Sequence, residues 1–267
     1  MLFFNYFKEN AFNVFFKIEN SKIYLKKYTI KYLMSKLATK RILSDIKIIK
    51  KTELDKHNIF VSTNDENMYN IKAMIIGPDD TPYEGGFYFF DIIFPDNYPL
   101  QPPKAKFMTL NNEIRFNPNL YKCGKVCVSL LNTWSGPGWT TACTLSSVLL
   151  SIQSLLNENP IHNEPGWENE NGDKCNTYND IISYYNLKVG LIQMINETPP
   201  GFEVFKDIML KYFINNFDKY NKFLTKRMDK NGEHKTLKLY SLSTKLKYSS
   251  LQEELIMLFS EYESIYK

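Results

Sequence analysis

From Gly77 to Pro103 the chain is punctuated too densely for any long helix or strand. Gly77, Pro78, Pro82, Gly85 and Gly86 precede, and Pro95, Pro99, Pro102 and Pro103 follow, one uninterrupted run, Phe87–Phe94. Proline fixes φ and removes a backbone donor, and glycine frees the backbone for turns, so each marks a break. What survives is a set of short strands. Ile59–Val61 leads into a turn over Asn64–Asn67, and Tyr69, Ile71, Ala73 and Ile75 then alternate at period two. Phe87–Phe94 is the third run and Lys104–Met108 the fourth. The connections are too short for crossover helices, so the four strands are predicted to pair as an antiparallel meander.

Helical periodicity brackets this meander. Over Ser35–Lys51, residues Leu37, Arg41, Ile42, Asp45, Ile46 and Ile49 share one stripe, with Lys36, Lys40, Lys47 and Lys50 mainly off it. Beyond Cys143, Thr144 is a candidate cap for a helix carrying Leu145, Val148, Leu149, Ile152, Leu155 and Leu156. Two further helices are predicted over 179–195 and 203–224, separated by Pro199-Pro200-Gly201. A polar linker at Asp229–His234 follows, then a last helix through Tyr262, opened by the capping box Ser250-x-x-Glu253. The stretch from Thr109 to Cys143 has no period, yet Tyr121, Val126, Val128, Leu130, Leu131, Trp134 and Trp139 make it too apolar for disorder. A packed loop of that length points to function. The fold class is α+β, with an N-terminal helix, a four-stranded antiparallel meander and C-terminal helices.

A chain of 267 residues can bury a sizeable core as one large domain with extensions. Three segments are expected: a basic, aromatic arm over 1–34, a core over 35–200 and a helical extension over 201–267. The arm holds six lysines against Glu9 and Glu19, which leaves the rest of the chain neutral. It lacks the apolar run and cleavage site of a signal peptide, and nothing in the chain is apolar for long enough to span a membrane. A net charge of +4 is too small to argue for nucleic-acid binding. Cys123, Cys127, Cys143 and Cys175 without a secretion signal point to free thiols in a reducing compartment. No paired CxxC is present and His57, His162 and His234 are scattered, so neither a metal site nor a cofactor is expected.

Within the packed loop lies Asn117-Pro-Asn-Leu-Tyr-Lys-Cys-Gly-Lys-Val-Cys127. Asn119 stands eight residues before Cys127, across turn residues. An ionised thiol is a strong nucleophile, and an amide N–H can stabilise an oxyanion. The pair suits acyl transfer through a thioester. Taken alone, the same residues also fit a small buried hydrophobe beside a turn asparagine.

Four ordered motifs carry a resemblance. Gly77-Pro-x-x-Thr-Pro-Tyr-x-Gly-Gly86, Phe94-Pro-x-x-Tyr-Pro-x-x-Pro-Pro103, Pro118-Asn119 and Gly124-Lys-Val-Cys127 resemble the ubiquitin-conjugating enzyme (UBC) family over residues 35–200. The run Lys125–Trp134, then Ser135-Gly-Pro-Gly-Trp139, Ser151-Ile-Gln-Ser-Leu155 and Asn163-Glu-Pro-Gly-Trp167, is similar to its Z-type branch and to the catalytic domains of larger relatives. The helices beyond Gly201 resemble the C-terminal extension of that branch.

The resemblance implies a UBC fold and a set of roles. Cys127 would be the thioester-forming nucleophile, with Lys122 and Lys125 as electrostatic helpers and Cys123, Cys143 and Cys175 structural. Asn119 would stabilise the oxyanion or hold the loop. Glu164 would orient the incoming lysine, with His162 as a neighbouring participant. Lys40 and Arg41 would dock the activating enzyme, and Leu100, Thr141 and Ala142 a ligase. The chain departs from the family at Asn117, where most members carry His, and at Thr140-Thr-Ala142 in place of Ser-Pro-Ala. The insert Ser135–Gly138 lies beside the same surface. Implied partners are ubiquitin or a ubiquitin-like modifier, an activating enzyme, a ligase and protein substrates. The expected location is the cytoplasm, with the nucleus as a second. Two other functions stay open here: a catalytically inactive binding module of the same fold, and a cysteine hydrolase pairing Cys127 with His162.

Overall fold

The computed structural model describes residues 33–63 and 67–266. Helix α1 covers 33–51. Strands β1 (Ile59–Thr63), β2 (Asn70–Ile76), β3 (Phe87–Ile93) and β4 (Lys104–Phe107) then pair in sequence order as one antiparallel sheet. The expected meander is the observed one. Val61, Ala73, Phe90 and Phe107 face one another across all four strands. The 1–34 arm lies outside the described residues except for Leu33 and Met34, which open α1, and of the Asn64–Asn67 turn only Asn67 is described.

The dense aromatic run of β3 is explained by burial on both faces, since successive strand residues point to opposite sides. Phe89 packs on Phe202 with ring centroids 5.0 Å apart, and Phe87 meets Tyr212 edge-on. On the other side Tyr88 meets Phe116 at 5.5 Å and Phe90 meets Phe107 at 5.4 Å. One buried apolar cluster therefore runs from the sheet into the residues beyond Pro200 without interruption.

The inward stripe of α1 is polar in part. Ala38, Ile42 and Asp45 are fully buried, whereas Leu37 is 64% exposed. Arg41 and Asp45 share the inward face as an ion pair rather than as apolar surface.

Helix α2 (Leu145–Gln153) is capped as expected: Thr144 Oγ1 accepts from the Ser147 N–H, and Ser147 Oγ accepts from the Thr144 N–H. Helix α3 (Asp173–Tyr185) begins six residues earlier than its apolar periodicity shows, because its first turns are mostly polar and exposed. It runs on as a π-helical segment, Asn186–Gln193, into α4 (Met194–Asn196). In the wide turns Asn186 is buried, donating to the Glu84 carbonyl at 2.8 Å and accepting from Tyr88 Oη at 2.6 Å. Gly86 permits this approach, because a Cβ there would lie 1.8 Å from Asn186 Oδ1.

The helix predicted over 203–224 is broken. A 3-10 turn, Glu203–Phe205, leads into α5 (Lys206–Asn215), and α6 (Phe217–Thr225) follows after a non-helical Asn216. The Asn216 side chain donates to the Tyr212 carbonyl, competing with the helix's own bonds. The polar linker gives way to a hairpin, β5 (His234–Leu237) and β6 (Leu242–Lys245). Its exposed polar residues hid it from pattern reading. Helix α7 spans Tyr248–Tyr266, so Ser250 lies within its first turn and caps nothing. The cap comes from outside the helix: Asn231 Oδ1 accepts from the Ser249 N–H at 3.1 Å. Among the described residues no helix is long and apolar enough to cross a membrane.

Candidate active site

The loop after β4 doubles back on the sheet. The Phe107 N–H donates to the Gly124 carbonyl at 2.8 Å, and the Tyr121 N–H donates to that of Lys125 at 3.0 Å. Gly124 has φ +88°, and a Cβ there would lie 2.9 Å from Phe107 O, so glycine satisfies both backbone angle and space. This return brings Asn119 beside Cys127. The Cys127 N–H donates to the Asn119 carbonyl at 2.9 Å, and Asn119 Nδ2 donates back to the Cys127 carbonyl at 2.8 Å. The eight-residue spacing is thus a reciprocal pair of hydrogen bonds. Asn119 Oδ1 is buried and has no hydrogen-bond partner among the described residues.

Asn117 anchors the loop from below. Its Oδ1 accepts from the Asn119 N–H at 2.9 Å, and its Nδ2 donates to the Leu155 carbonyl at 2.7 Å and to Tyr83 Oη at 3.0 Å. Tyr83 in turn donates to the Phe116 carbonyl at 2.7 Å. A side-chain amide offers both a donor and an acceptor, which is what this position requires.

Glu164 follows a 3-10 turn, Pro160–Asn163, and its carboxylate accepts from the Tyr240 hydroxyl. The Arg115 guanidinium lies between two rings, 3.7 Å from the centroid of Tyr121 and 4.2 Å from that of Tyr240. It also donates to the carbonyls of Pro118 and Asn117. Arg115 and Tyr240 escaped the reading of the sequence. His162 places Nε2 2.8 Å from the Glu170 carbonyl, turned toward that loop. Lys122 donates to the Asn112 carbonyl, and Lys125 lies over the Tyr121 ring.

Cys127 is 1% exposed, whereas Cys123 is exposed and Cys143 intermediate. Cys175 is buried and bonds Asn159 Oδ1; burial, then the Glu170 charge, push its thiol pKa up. All four are free thiols, and the described residues hold no cluster of metal-ligating side chains.

Residues 41–184, just over half of the chain, match the family model described as Ubiquitin-conjugating enzyme. The chain belongs to the ubiquitin-conjugating enzyme family. It is 45% identical over 179 residues to ubiquitin-conjugating enzyme E2 Z of Xenopus tropicalis, covering 66% of this chain and 57% of that protein. The human E2 Z is 46% identical over 178 residues, covering 66% and 50%. A probable ubiquitin-conjugating enzyme protein 17 of Caenorhabditis elegans is 39% identical over 186 residues, covering 65% of this chain and 25% of its own length. The matched stretch thus spans about half the length of the E2 Z relatives.

On this ubiquitin-conjugating fold, the docking residues inferred from the motifs divide by burial. Lys40, Leu100, Thr141 and Ala142 are exposed. Arg41 is committed within the chain: Nε pairs with Asp45 at 2.9 Å, and the terminal nitrogens donate to the Thr141 and Cys143 carbonyls. Asp45, fully buried, also accepts from the Tyr98 hydroxyl and from the Leu145 N–H at the start of α2. Trp139 Nε1 donates to the Pro99 carbonyl at 2.7 Å, joining the loops that carry Leu100 and Thr141. Leu37, Arg41 and Leu100 line one groove of about 410 Å³ with Tyr98 and Pro99.

Proposed function

We propose that this chain is an active conjugating enzyme. It accepts ubiquitin, or a ubiquitin-like modifier, from an activating enzyme as a thioester on Cys127, and passes it to a lysine of a protein substrate, usually with a ligase. The observation that carries this reading is the reciprocal bonding of Asn119 and Cys127 on a loop within the family-matched region. In charging, the Cys127 sulfur attacks the carbonyl carbon of the incoming thioester. The carbon–sulfur bond to the activating enzyme breaks, and the proton from Cys127 ends on the departing thiolate. In discharge, the lysine nitrogen attacks the same carbon, the bond to Cys127 breaks, and the amine loses its proton to solvent or to Glu164. Because Cys127 is 1% exposed, entry of the modifier requires its surroundings to shift aside.

Asn119 in this scheme holds the nucleophile's backbone through Nδ2, which supports the loop-holding role over a free oxyanion donor. Glu164 orients the amine, and His162 fixes the loop that carries it. Lys40 supplies the charge for docking the activating enzyme, while Arg41 orders the adjoining loop; Leu100, Thr141 and Ala142 form the ligase face. Residues 35–200 act as the conjugating core and 201–267 as its extension, in the cytoplasm and nucleus. A hydrolase would need a base on the thiol. Among the described residues no side chain hydrogen-bonds the Cys127 sulfur, and His162 faces Glu170.

The test is incubation with ATP, ubiquitin and a panel of activating enzymes, followed by non-reducing electrophoresis. The expected product is a thiol-sensitive adduct that disappears in Cys127→Ala. No adduct with any activating enzyme would leave the inactive binding module standing.

A further inference from the structure

The tip of the β5–β6 hairpin sits far from the Cys127 loop in sequence, yet it reaches that loop's neighbours. Tyr240 donates its hydroxyl to the Glu164 carboxylate and lays its ring 4.2 Å from the Arg115 guanidinium. Arg115 holds the carbonyls of Asn117 and Pro118, two of the three residues that end at Asn119. The backbone at the tip is also strained. Tyr240 and Ser241 have φ of 57° and 52°, a left-handed conformation that side chains with a Cβ disfavour. Two such residues in succession persist only where the surroundings over-determine them, and they concentrate at functional sites. The hairpin pairing of Leu237 with Leu242 holds the tip in place.

We infer that Tyr240 is a positioning residue for amine attack: the C-terminal extension completes the acceptor side of the site by fixing the Glu164 carboxylate and, through Arg115, the Asn117–Asn119 turn. This rests on the reading of Glu164 as the amine-orienting carboxylate. A carboxylate on a free loop samples many orientations, whereas one held through one oxygen by a hydroxyl is fixed, with its second oxygen left to accept from an amine. The ring does a second task. Stacked on Arg115, it keeps a cation beside the turn that carries Asn119.

The experiment follows single-turnover discharge of the purified full-length thioester, formed with ubiquitin and a charging enzyme, to free L-lysine and separately to hydroxylamine. Hydroxylamine is a strong nucleophile that needs little orientation or deprotonation. Tyr240→Phe keeps the ring and removes the hydroxyl. It is expected to raise the lysine concentration for half-maximal discharge about three- to tenfold, the loss of one hydrogen bond to a charged group acting at one remove. Hydroxylamine discharge is expected to hold, and a thermal melt shows that the variant is folded. Tyr240→Ala, which also takes away one of the two rings stacked on Arg115, is expected to slow lysine discharge further. Glu164→Gln should impair lysine discharge by itself, and the double variant with Tyr240→Phe should lose no more than Glu164→Gln. Normal discharge by Glu164→Gln would overturn the reading of Glu164 and this inference with it. Slow discharge by Glu164→Gln beside normal discharge by Tyr240→Phe would overturn the role of Tyr240 alone. Equal slowing toward lysine and hydroxylamine would reduce Tyr240 to a structural support, against the inference.

Discussion

The three arginines of this lysine-rich chain are each stacked on an aromatic ring: Arg41 on Tyr98, Arg115 on Tyr121 and Tyr240, and Arg227 on Phe223. A planar guanidinium can lie flat on a ring and still donate from several N–H groups in its own plane, a fixed fork that the compact lysine ammonium lacks. Their scarcity among 33 basic residues was the available signal that Arg41 and Arg115 are structural fasteners. Arg41→Ala leaves the buried Asp45 carboxylate without its cation, so it should lower the unfolding free energy by about 3–5 kcal/mol, read by urea denaturation. Lys40→Ala, on an exposed side chain, should change it by less than about 0.5 kcal/mol. Docking and folding roles on α1 are thereby separable. Asn119→Ala removes the donor that holds the Cys127 carbonyl and should cost about 1–3 kcal/mol by the same measurement. It should also slow lysine discharge, by about 10²–10³-fold if the amide serves the oxyanion as well. Discharge close to the parent rate would confine Asn119 to loop stability.

Elements were legible where their reasons are local. Thr144 caps α2 by bonding only three residues ahead, to Ser147, and Gly and Pro mark the ends of β3, so both elements could be read directly. Elements shaped by distant partners could not. The π-helical stretch depends on Asn186 reaching Glu84 and Tyr88, about a hundred residues back. Helix α7 starts where Asn231 caps it, ahead of the Ser250-x-x-Glu253 box that local chemistry favoured. Asn186→Ala should leave the Tyr88 hydroxyl and the Glu84 carbonyl unpaired in the interior, each at about 1–3 kcal/mol. A fall in melting temperature of about 2–4 °C per kcal/mol would show it in a thermal scan. Retention of the parent melting temperature would mean that water or a neighbour re-satisfies both groups.

For the whole molecule, the extension and the sheet share one core. Phe202 and Tyr212 cover Phe89 and Phe87, so a chain ended at Pro200 would expose the side of β3 that carries those rings. Such a truncation should lose cooperative unfolding and bind a hydrophobic dye, as loosely packed states do. Sharp, cooperative melting of residues 1–200 would count against the shared core. What the sequence determined by itself was the strand meander, the capped α2 and the pairing of Asn119 with Cys127, because each depends on spacing, turn chemistry and motif within a short stretch. What only the tertiary structure decided was the company those residues keep: Asn117 bonded into the core, Arg41 turned inward, and Tyr240 brought onto Glu164 from 76 residues away. Side-chain contacts between distant segments are set by how helices and strands pack, and no local period in the chain encodes that packing.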